Sequence, residues 1–411
     1  MTDLQTETDR WPGLFEVPSG PRTRVSAAVA RRIFDQVARR FHIAVVASPA
    51  PGAPVEDRPT LVLNRPEEFY ARIGRDGLIG FGESYMTGAW DSPDLAHLLT
   101  TLAAEIGSLV PERLQRMRGW YVARHPHTHR NSVDNTRANI AHHYELSNDL
   151  FRTFLDETMT YSSALFADVT QARRSDLAEA QGRKIERLLD VAQVGEGSHV
   201  LEIGTGWGEL AIRAARRGAR VHSVTLSLEQ QQLARARIAA AGFGDLASVE
   251  LTDYRNTTGT YDAVVSVEMI EAVGHEFLPA YFQTIRDRLA PGGHAAIQAI
   301  LMPHDRMQAT LGTYTWIHKY IFPGGFLPSV ELLDEVAAVA GLQVVDRLSF
   351  GEHYAETLRL WDEAFLAADV EALGFDEVFR RMWHFYLMYS RAGFASGYLD
   401  VQQLAFTATS P

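Results

Sequence analysis

The stretch His199-Val-Leu-Glu-Ile-Gly-Thr-Gly-Trp-Gly208 decides the fold. Its first half is an apolar run of strand character. Gly204, Gly206 and Gly208 then follow at two-residue spacing, before the helical pattern that opens at Glu209. A strand that turns sharply into a helix needs glycine for backbone angles that other residues avoid. Glycine also lets a ligand lie against bare backbone beside the positive end of the helix dipole. The stretch reads as a nucleotide-binding turn.

A glycine-rich turn does not by itself say which nucleotide. The dinucleotide fingerprint places an acid about 20 residues further on, at the end of the second strand, to hold a ribose. Here the second strand, Arg220 to Val224, ends in Thr225-Leu-Ser, and the nearest carboxylate, Glu229, belongs to the following helix. That disfavours a nicotinamide cofactor. Glu202, two residues before the first glycine, suits S-adenosylmethionine, because an acid beside the turn can face the methionine ammonium or the sulfonium charge. The bland alternative is a buried strand with a tight turn and no ligand.

Outward from this turn the chain alternates strand and helix. Strands are expected at Val200, Arg220, Val249, Ala263–Val267 and His294–Ile300, with helices from Gly208, over Leu228–Ala241 and over Glu276–Leu289. This alternation predicts an α/β fold built on a parallel, doubly wound Rossmann-like sheet. Ligands on such sheets lie outside the carboxyl ends of the strands. Asp253-Tyr254 follows the third strand, where the acid can hydrogen-bond to an adenine and the ring can stack on it. Glu268 and Glu271 follow the fourth, and Gln298 lies in the strand after Pro291-Gly-Gly. For Glu268 the preferred reading is a solvated helix start.

A chain of 411 residues is long enough for two domains. The expected organisation is a mainly helical N-terminal domain over 1–110, a basic aromatic linker over 111–134, and a second domain over 135–411 that carries the glycine turn. In the first domain Val29, Ile33, Val37 and Phe41 recur on one face of a helix over Ser26–His42. Thr60–Leu63 reads as a strand and Pro66–Ile73 as a helix. Gly77–Trp90 reads as a glycine-spaced loop or short helix, and Asp94–Leu109 as a helix.

Composition excludes several functions. With no cysteine there is no disulfide, thiolate metal site or cysteine nucleophile. No apolar run reaches membrane-spanning length and the first residues lack the features of a signal peptide, so a cytoplasmic protein is expected. A net charge of -12 argues against general nucleic-acid binding. Between Arg113 and Val133, however, there is no acid, and Arg113, Arg116, Arg118, Arg124 and Arg130 are interleaved with Trp120 and Tyr121. Such a stretch can lie on an anionic lipid surface, or it can be a solvated linker. His125, His127 and His129 have no acid or thiolate nearby, and no metal site is expected.

Further motifs carry a resemblance. His143-Tyr-Glu-Leu-Ser-Asn-Asp-Leu-Phe151, Phe154 to Ser163, Thr225 to Gln230, Tyr320 to Ser329, His353 to Trp361, and Gly393 to Gly397 with Gln402 resemble the cyclopropane-fatty-acid synthases and the related mycolic acid methyltransferases. The matches run from about residue 77 to the end. The resemblance implies that S-adenosylmethionine donates a methyl group to the cis double bond of an unsaturated acyl chain within a membrane phospholipid. By motif match Tyr161, Ser162, Glu202, Gly204, Gly206, Thr225, Leu226, Gln230, Asp253 and Tyr254 would hold the cofactor, with Gly208 closing the turn.

In that family a bicarbonate ion serves as base, held by a cysteine, a glutamate, a histidine, an isoleucine backbone and a tyrosine. The corresponding positions are Ser163, Glu271, Gln298, Ile300 and Tyr354, so two of the five depart from the pattern. Gln298 cannot carry positive charge or relay a proton near neutral pH, although its amide can bond to an anion. Ser163 can donate one hydrogen bond. The segments near residue 80, Ser266 to Gly274 and Ile297 to Ile300 are most similar to the actinobacterial branch that makes 10-methylene, and hence 10-methyl-branched (tuberculostearic-type), fatty acids.

The implied reaction is methylation of an oleoyl-type chain at carbon 10 through a carbocation, giving the 10-methylene product. The alternatives are a cyclopropane-fatty-acyl-phospholipid synthase, a small-molecule methyltransferase and a lipid-binding protein without catalysis. The implied partners are an unsaturated phospholipid at the inner membrane face, where the protein would be peripherally bound, a reductase acting on the methylene product and a second copy in a homodimer. Phe379, Met382, Trp383, Phe385, Tyr386, Met388 and Tyr389 could line an acyl channel, but ordinary core is the preferred reading for most of them.

Overall fold

Val200, Leu201, Glu202 and Ile203 form a strand with no solvated face, and a strand of that kind needs covered neighbours on both sides. In the computed structural model, which describes residues 10–47, 58–104 and 147–409, it lies inside a seven-stranded sheet. The linker 111–134, with Arg113 to Arg130, and the start of the His143 motif lie outside the described residues. Among the described residues no helix is long and apolar enough to cross a membrane.

The chain forms two units. Among the described residues the first comprises 10–47, 58–104, 313–319 and 369–396, and the second 147–312, 320–368 and 397–409. The sequence reading had kept all of 135–411 together, whereas residues 369–396 group with the N-terminal unit. The physical reason is the helix Glu377–Ala395, which buries Val378, Phe379, Met382, Trp383, Phe385, Tyr386, Leu387 and Met388. A helix so broadly apolar needs cover on several sides. Within the first unit the Phe385 ring lies 5.3 Å from Tyr85 and 6.4 Å from Trp90. Arg381 donates to the Tyr85 carbonyl at 2.7 Å. Most of the tail aromatics are thus core of this unit, while Tyr389 is exposed.

The rest of the first unit includes the helices Pro21–Arg40 and Leu95–Ala104 and three short strands, β1 (Ala44–Ala47), β2 (Thr60–Leu63) and β3 (Trp90–Asp91), in the order β1-β2-β3. Between β2 and β3 come the helices Pro66–Asp76 and Leu78–Met86, separated by Gly77 at φ +58. The Gly77–Trp90 segment is therefore mostly helix. Its tight return depends on Gly80, where an added Cβ would lie 2.1 Å from the Arg72 carbonyl oxygen. Arg72 itself is fully buried, with its Nε 2.9 Å from Glu68 Oε1.

The second unit contains β4 (His199–Ile203), β5 (Arg220–Thr225), β6 (Ala247–Leu251), β7 (Tyr261–Val267), β8 (Leu289–Leu301), β9 (Leu342–Ser349) and β10 (Asp400–Ala408). Their order is β6-β5-β4-β7-β8-β10-β9. The pairs from β6 to β8 are parallel, and β10 runs antiparallel to both β8 and β9. Alternate residues go to opposite faces. Val200, Ala263 and Val265 enter one core with the helix Leu177–Val191, while Leu201, Ile203 and Val264 enter another with Tyr281 and Phe282.

This order puts the topological switch between β4 and β7, where Ile203 pairs with Ser266. The crevice outside the ends of those two strands is where an α/β sheet of this kind takes its ligand. The Gly204 turn and Glu268 flank it.

Gly80→Ala should destabilise the first unit by about 1–3 kcal/mol, the usual cost of overpacking, because the obstructing atom is backbone and cannot rotate away. Calorimetry of the full chain should show a lowered melting transition. An unchanged melt would contradict this packing.

Candidate active site

Gly204, Gly206 and Gly208 all lie at positive φ, at +94, +52 and +90. Gly208 caps the helix Glu209–Arg216 in the left-handed region, and a Cβ there would stand 3.1 Å from the Ala234 side chain. Gly206 has open space around it, which leaves its backbone bare toward a ligand. A cleft partly open to solvent begins here. Tyr161, Ser162, Glu202, Gly204, Gly206, Thr225, Leu226, Gln230, Asp253 and Tyr254 all line it, whereas Gly208 does not.

Several of these side chains are already fixed by their neighbours. Thr225 Oγ1 donates to Gln230 Oε1 at 2.9 Å, and Ser227 caps the next helix by accepting from the Gln230 amide. Asp253, expected to bond to an adenine, is gripped by Arg255 Nε at 2.9 Å. Glu202 accepts from Ser223 Oγ at 2.5 Å, and burial pushes its carboxyl up to about 8 against that bond. A cation seated beside it would favour the ionised form.

The five residues assigned to an anion base divide into two groups. The Ile300 amide donates to Glu271 Oε1 at 2.6 Å, while Glu271 Oε2 is buried without a hydrogen-bond partner in the chain. Burial, aided by the neighbouring Glu268 charge, pushes Glu271 up to about 8 and so keeps it protonated near neutral pH. The other three converge on Glu268. The Ser163 amide donates to Oε1 at 2.9 Å, Gln298 Nε2 to the same oxygen at 2.7 Å, and the Tyr354 hydroxyl to Oε2 at 2.7 Å.

Glu268 therefore is not the solvated helix start expected from the sequence. It leaves β7 directly at the switch point, is half-buried because one side faces the cleft, and lines that cleft. Its own amide bonds back to the Gln298 carbonyl at 2.8 Å, and its φ of +47 is unusual for a residue with a side chain. A non-glycine residue held there signals a conformation imposed by its surroundings. Burial raises the Glu268 carboxyl, while Lys184, Tyr354, the Ser163 amide and Gln298 all pull it back toward the charged form.

Three further residues complete the arrangement, and the sequence reading missed them. Lys184 is fully buried, donates to Ser162 Oγ at 2.6 Å and is lowered by burial to about 8, with the Glu268 charge opposing. Gln403, paired across the sheet with Gln298, donates to Gln298 Oε1 at 3.1 Å and to the Lys184 carbonyl at 2.9 Å. Arg187 NH1 donates to Gln403 Oε1 at 2.9 Å.

Because an arginine can only donate, it fixes both amides: Gln403 must turn its NH2 to Gln298, which must turn its own NH2 to Glu268. The available signals were a lysine on the apolar face of the helix Leu177–Val191, beside Gln181, Ile185 and Leu188, and two glutamines inside apolar strands.

A sheet of this order, a glycine turn after its central strand and an acid on that strand define a class I S-adenosylmethionine-dependent methyltransferase. Residues 131–404 match the model of the mycolic acid cyclopropane synthetase family, and the chain belongs to that family. It is 54% identical over 413 residues to the tuberculostearic acid methyltransferase UfaA1 of Mycobacterium tuberculosis, covering 98% of this chain and 97% of the relative. To the cyclopropane-fatty-acyl-phospholipid synthase of Escherichia coli it is 32% identical over 384 residues, covering 92% and 93%. The mycolic acid cyclopropane synthase CmaA1 complexed with SAH and CTAB superposes with a TM-score of 0.60 at 32% identity, covering 69% of this chain and 98% of that one.

Gln403→Leu should cost about 1–3 kcal/mol, since it leaves buried acceptors on Gln298 and Lys184 without a donor. Gln343→Leu, at an exposed site on β9, should change stability by no more than about 0.5 kcal/mol. Urea unfolding of the two variants checks this, and equal midpoints would contradict the amide relay.

Proposed function

We propose that this chain methylates the cis double bond of an oleoyl-type phospholipid acyl chain with S-adenosylmethionine, giving the 10-methylene product from which 10-methyl-branched acids derive. The observation that carries this reading is the 54% identity, over nearly the whole chain, to a tuberculostearic acid methyltransferase. The geometry supports it through a cofactor cleft that ends at an internal carboxylate, Glu268.

When bound, the cofactor supplies an electrophilic methyl group. The residues fit it: Glu202 would face its positive charge, the backbone at Gly204 and Gly206 would leave room for it, and Tyr254 and Asp253 would flank its base. An alkene is a weak nucleophile, so the chain's task is to hold the reactants in line and exclude water. Tyr161, stacked on Trp361 at 5.2 Å, contributes an aromatic wall of the kind that tolerates a nearby cation.

Methyl addition at carbon 10 leaves a cation at carbon 9. A hydride shift from carbon 10 to carbon 9 followed by loss of a methyl proton gives the methylene, whereas direct proton loss with ring closure gives cyclopropane. Base position and timing select between them. The bicarbonate expected at Ser163, Gln298 and Tyr354 does not fit there, because Glu268 already takes their donors.

The same reading includes a peripheral position at the inner membrane face, a homodimer and a reductase that consumes the methylene product.

Purified protein incubated with S-adenosylmethionine and oleoyl phospholipid should yield a 10-methylene fatty ester by mass spectrometry. A cyclopropane ester as the main product would overturn the assignment of the product. Failure to bind liposomes, with methylation of a small soluble acceptor, would overturn the lipid substrate.

Glu202 gives a second check. It is protonated in the free protein below about pH 8, and a cation beside it drives the proton off. Cofactor affinity should therefore rise between about pH 6 and pH 7.5, by at most about tenfold per unit, with proton release. Calorimetric titration should show Glu202→Gln binding more weakly with a flatter profile. Parallel profiles would refute the contact.

A further inference from the structure

We propose that Glu268 is itself the base of this reaction: its carboxylate occupies the seat formed by the Ser163 amide, Gln298 and Tyr354, and it removes the methyl proton without bicarbonate. The inference rests on the function proposed above and deepens it.

The seat is built for an anion. All three groups approach Glu268 as donors, at 2.9, 2.7 and 2.7 Å. The amide orientation that makes Gln298 a donor is imposed from outside, through Gln403 and Arg187. The charge of Lys184, fully buried beside Ser162, favours an ionised Glu268. Charged-group hydrogen bonds of this kind are the strong ones, and they hold the oxygens in place without taking all their lone pairs. A free anion arriving at the same donors would have to displace the carboxylate or sit against a like charge.

Glu268 also reaches the reacting region. It lines the cofactor cleft between Val267 and Met269, and an added Cβ at Gly204 would lie 3.0 Å from the Met269 side chain. The left-handed backbone at φ +47 turns the side chain from the end of β7 into the seat. Met159, at φ +54, lines the same cleft, and such sparsely populated backbone conformations gather at ligand sites.

The step balances within the acyl chain and the carboxylate. After the hydride shift the positive charge is on carbon 10. One C–H bond of the new methyl group breaks, its electron pair becomes the second bond of the exocyclic C=CH2, and the proton goes to a Glu268 oxygen. Solvent then receives that proton, which restores the carboxylate for the next turnover.

The test compares the full chain with two variants in buffer stripped of carbon dioxide. The unmodified chain should turn over at the same rate with and without added bicarbonate. Glu268→Gln keeps the shape of the seat but holds no base, so it should lose about 10²–10⁴-fold in turnover while still binding S-adenosylhomocysteine. Glu268→Gly suits the positive φ, empties the seat and should regain turnover when bicarbonate is added.

Carbon-13 NMR of labelled bicarbonate adds a readout independent of activity: broadening by Glu268→Gly only is expected. Binding of labelled bicarbonate by the unmodified chain, dependence of its rate on bicarbonate, or full turnover by Glu268→Gln would overturn the proposal. If no acyl phospholipid is methylated in any buffer, the substrate reading fails instead, and the NMR contrast still decides whether Glu268 fills the seat.

Discussion

A carboxylate placed at the end of a central parallel strand, largely out of water, must be met by donors or it will not stay charged. In this chain that demand falls on Glu268, and much of the second unit is arranged to meet it. The loop at Ser163 supplies a backbone amide, β8 supplies Gln298 and the helix Gly351–Ala367 supplies Tyr354. Each donor comes from a different part of the unit, so the site exists only when the sheet and its covering helices are assembled.

The sheet order explains why the two halves of the site meet. The turn after β4 and the exit of β7 are neighbours because the chain reverses its direction of winding between them. One side of that crevice offers bare glycine backbone and Glu202 to a cationic cofactor. The other offers Glu268, backed by Lys184. Burial pushes both Glu202 and Glu268 upward, but Ser223 alone pulls Glu202 back, whereas Lys184, Tyr354, the Ser163 amide and Gln298 all pull on Glu268. The two acids thus differ in their surroundings, which is the basis for proposing that one meets a cation and the other accepts a proton.

The fold was largely legible in the sequence. The strand and glycine turn at 199–208 and the alternation that follows it are local signals, and the five strands expected there are present, whereas β9 and β10, which complete the sheet, were not anticipated. The grouping of residues 369–396 with the N-terminal unit was not legible, because an apolar helix says that it needs cover without saying from which unit. The cleft-lining residues were readable from motifs. Glu268 was misread because an acid just before a turn of helix is ordinarily a solvated cap. What distinguishes it is three donors from distant sequence positions and a positive φ, neither of which a single sequence carries. Lys184 and Gln403 left a fainter trace, as polar residues on mostly apolar faces of their helix and strand.

The most direct measurement is a crystal structure of the full chain with S-adenosylhomocysteine, grown in the presence of bicarbonate. The account predicts the Glu268 carboxylate in the seat, hydrogen-bonded to Ser163, Gln298 and Tyr354, with no separate anion there. A Glu268 side chain swung away, with bicarbonate held by those three donors, would contradict it.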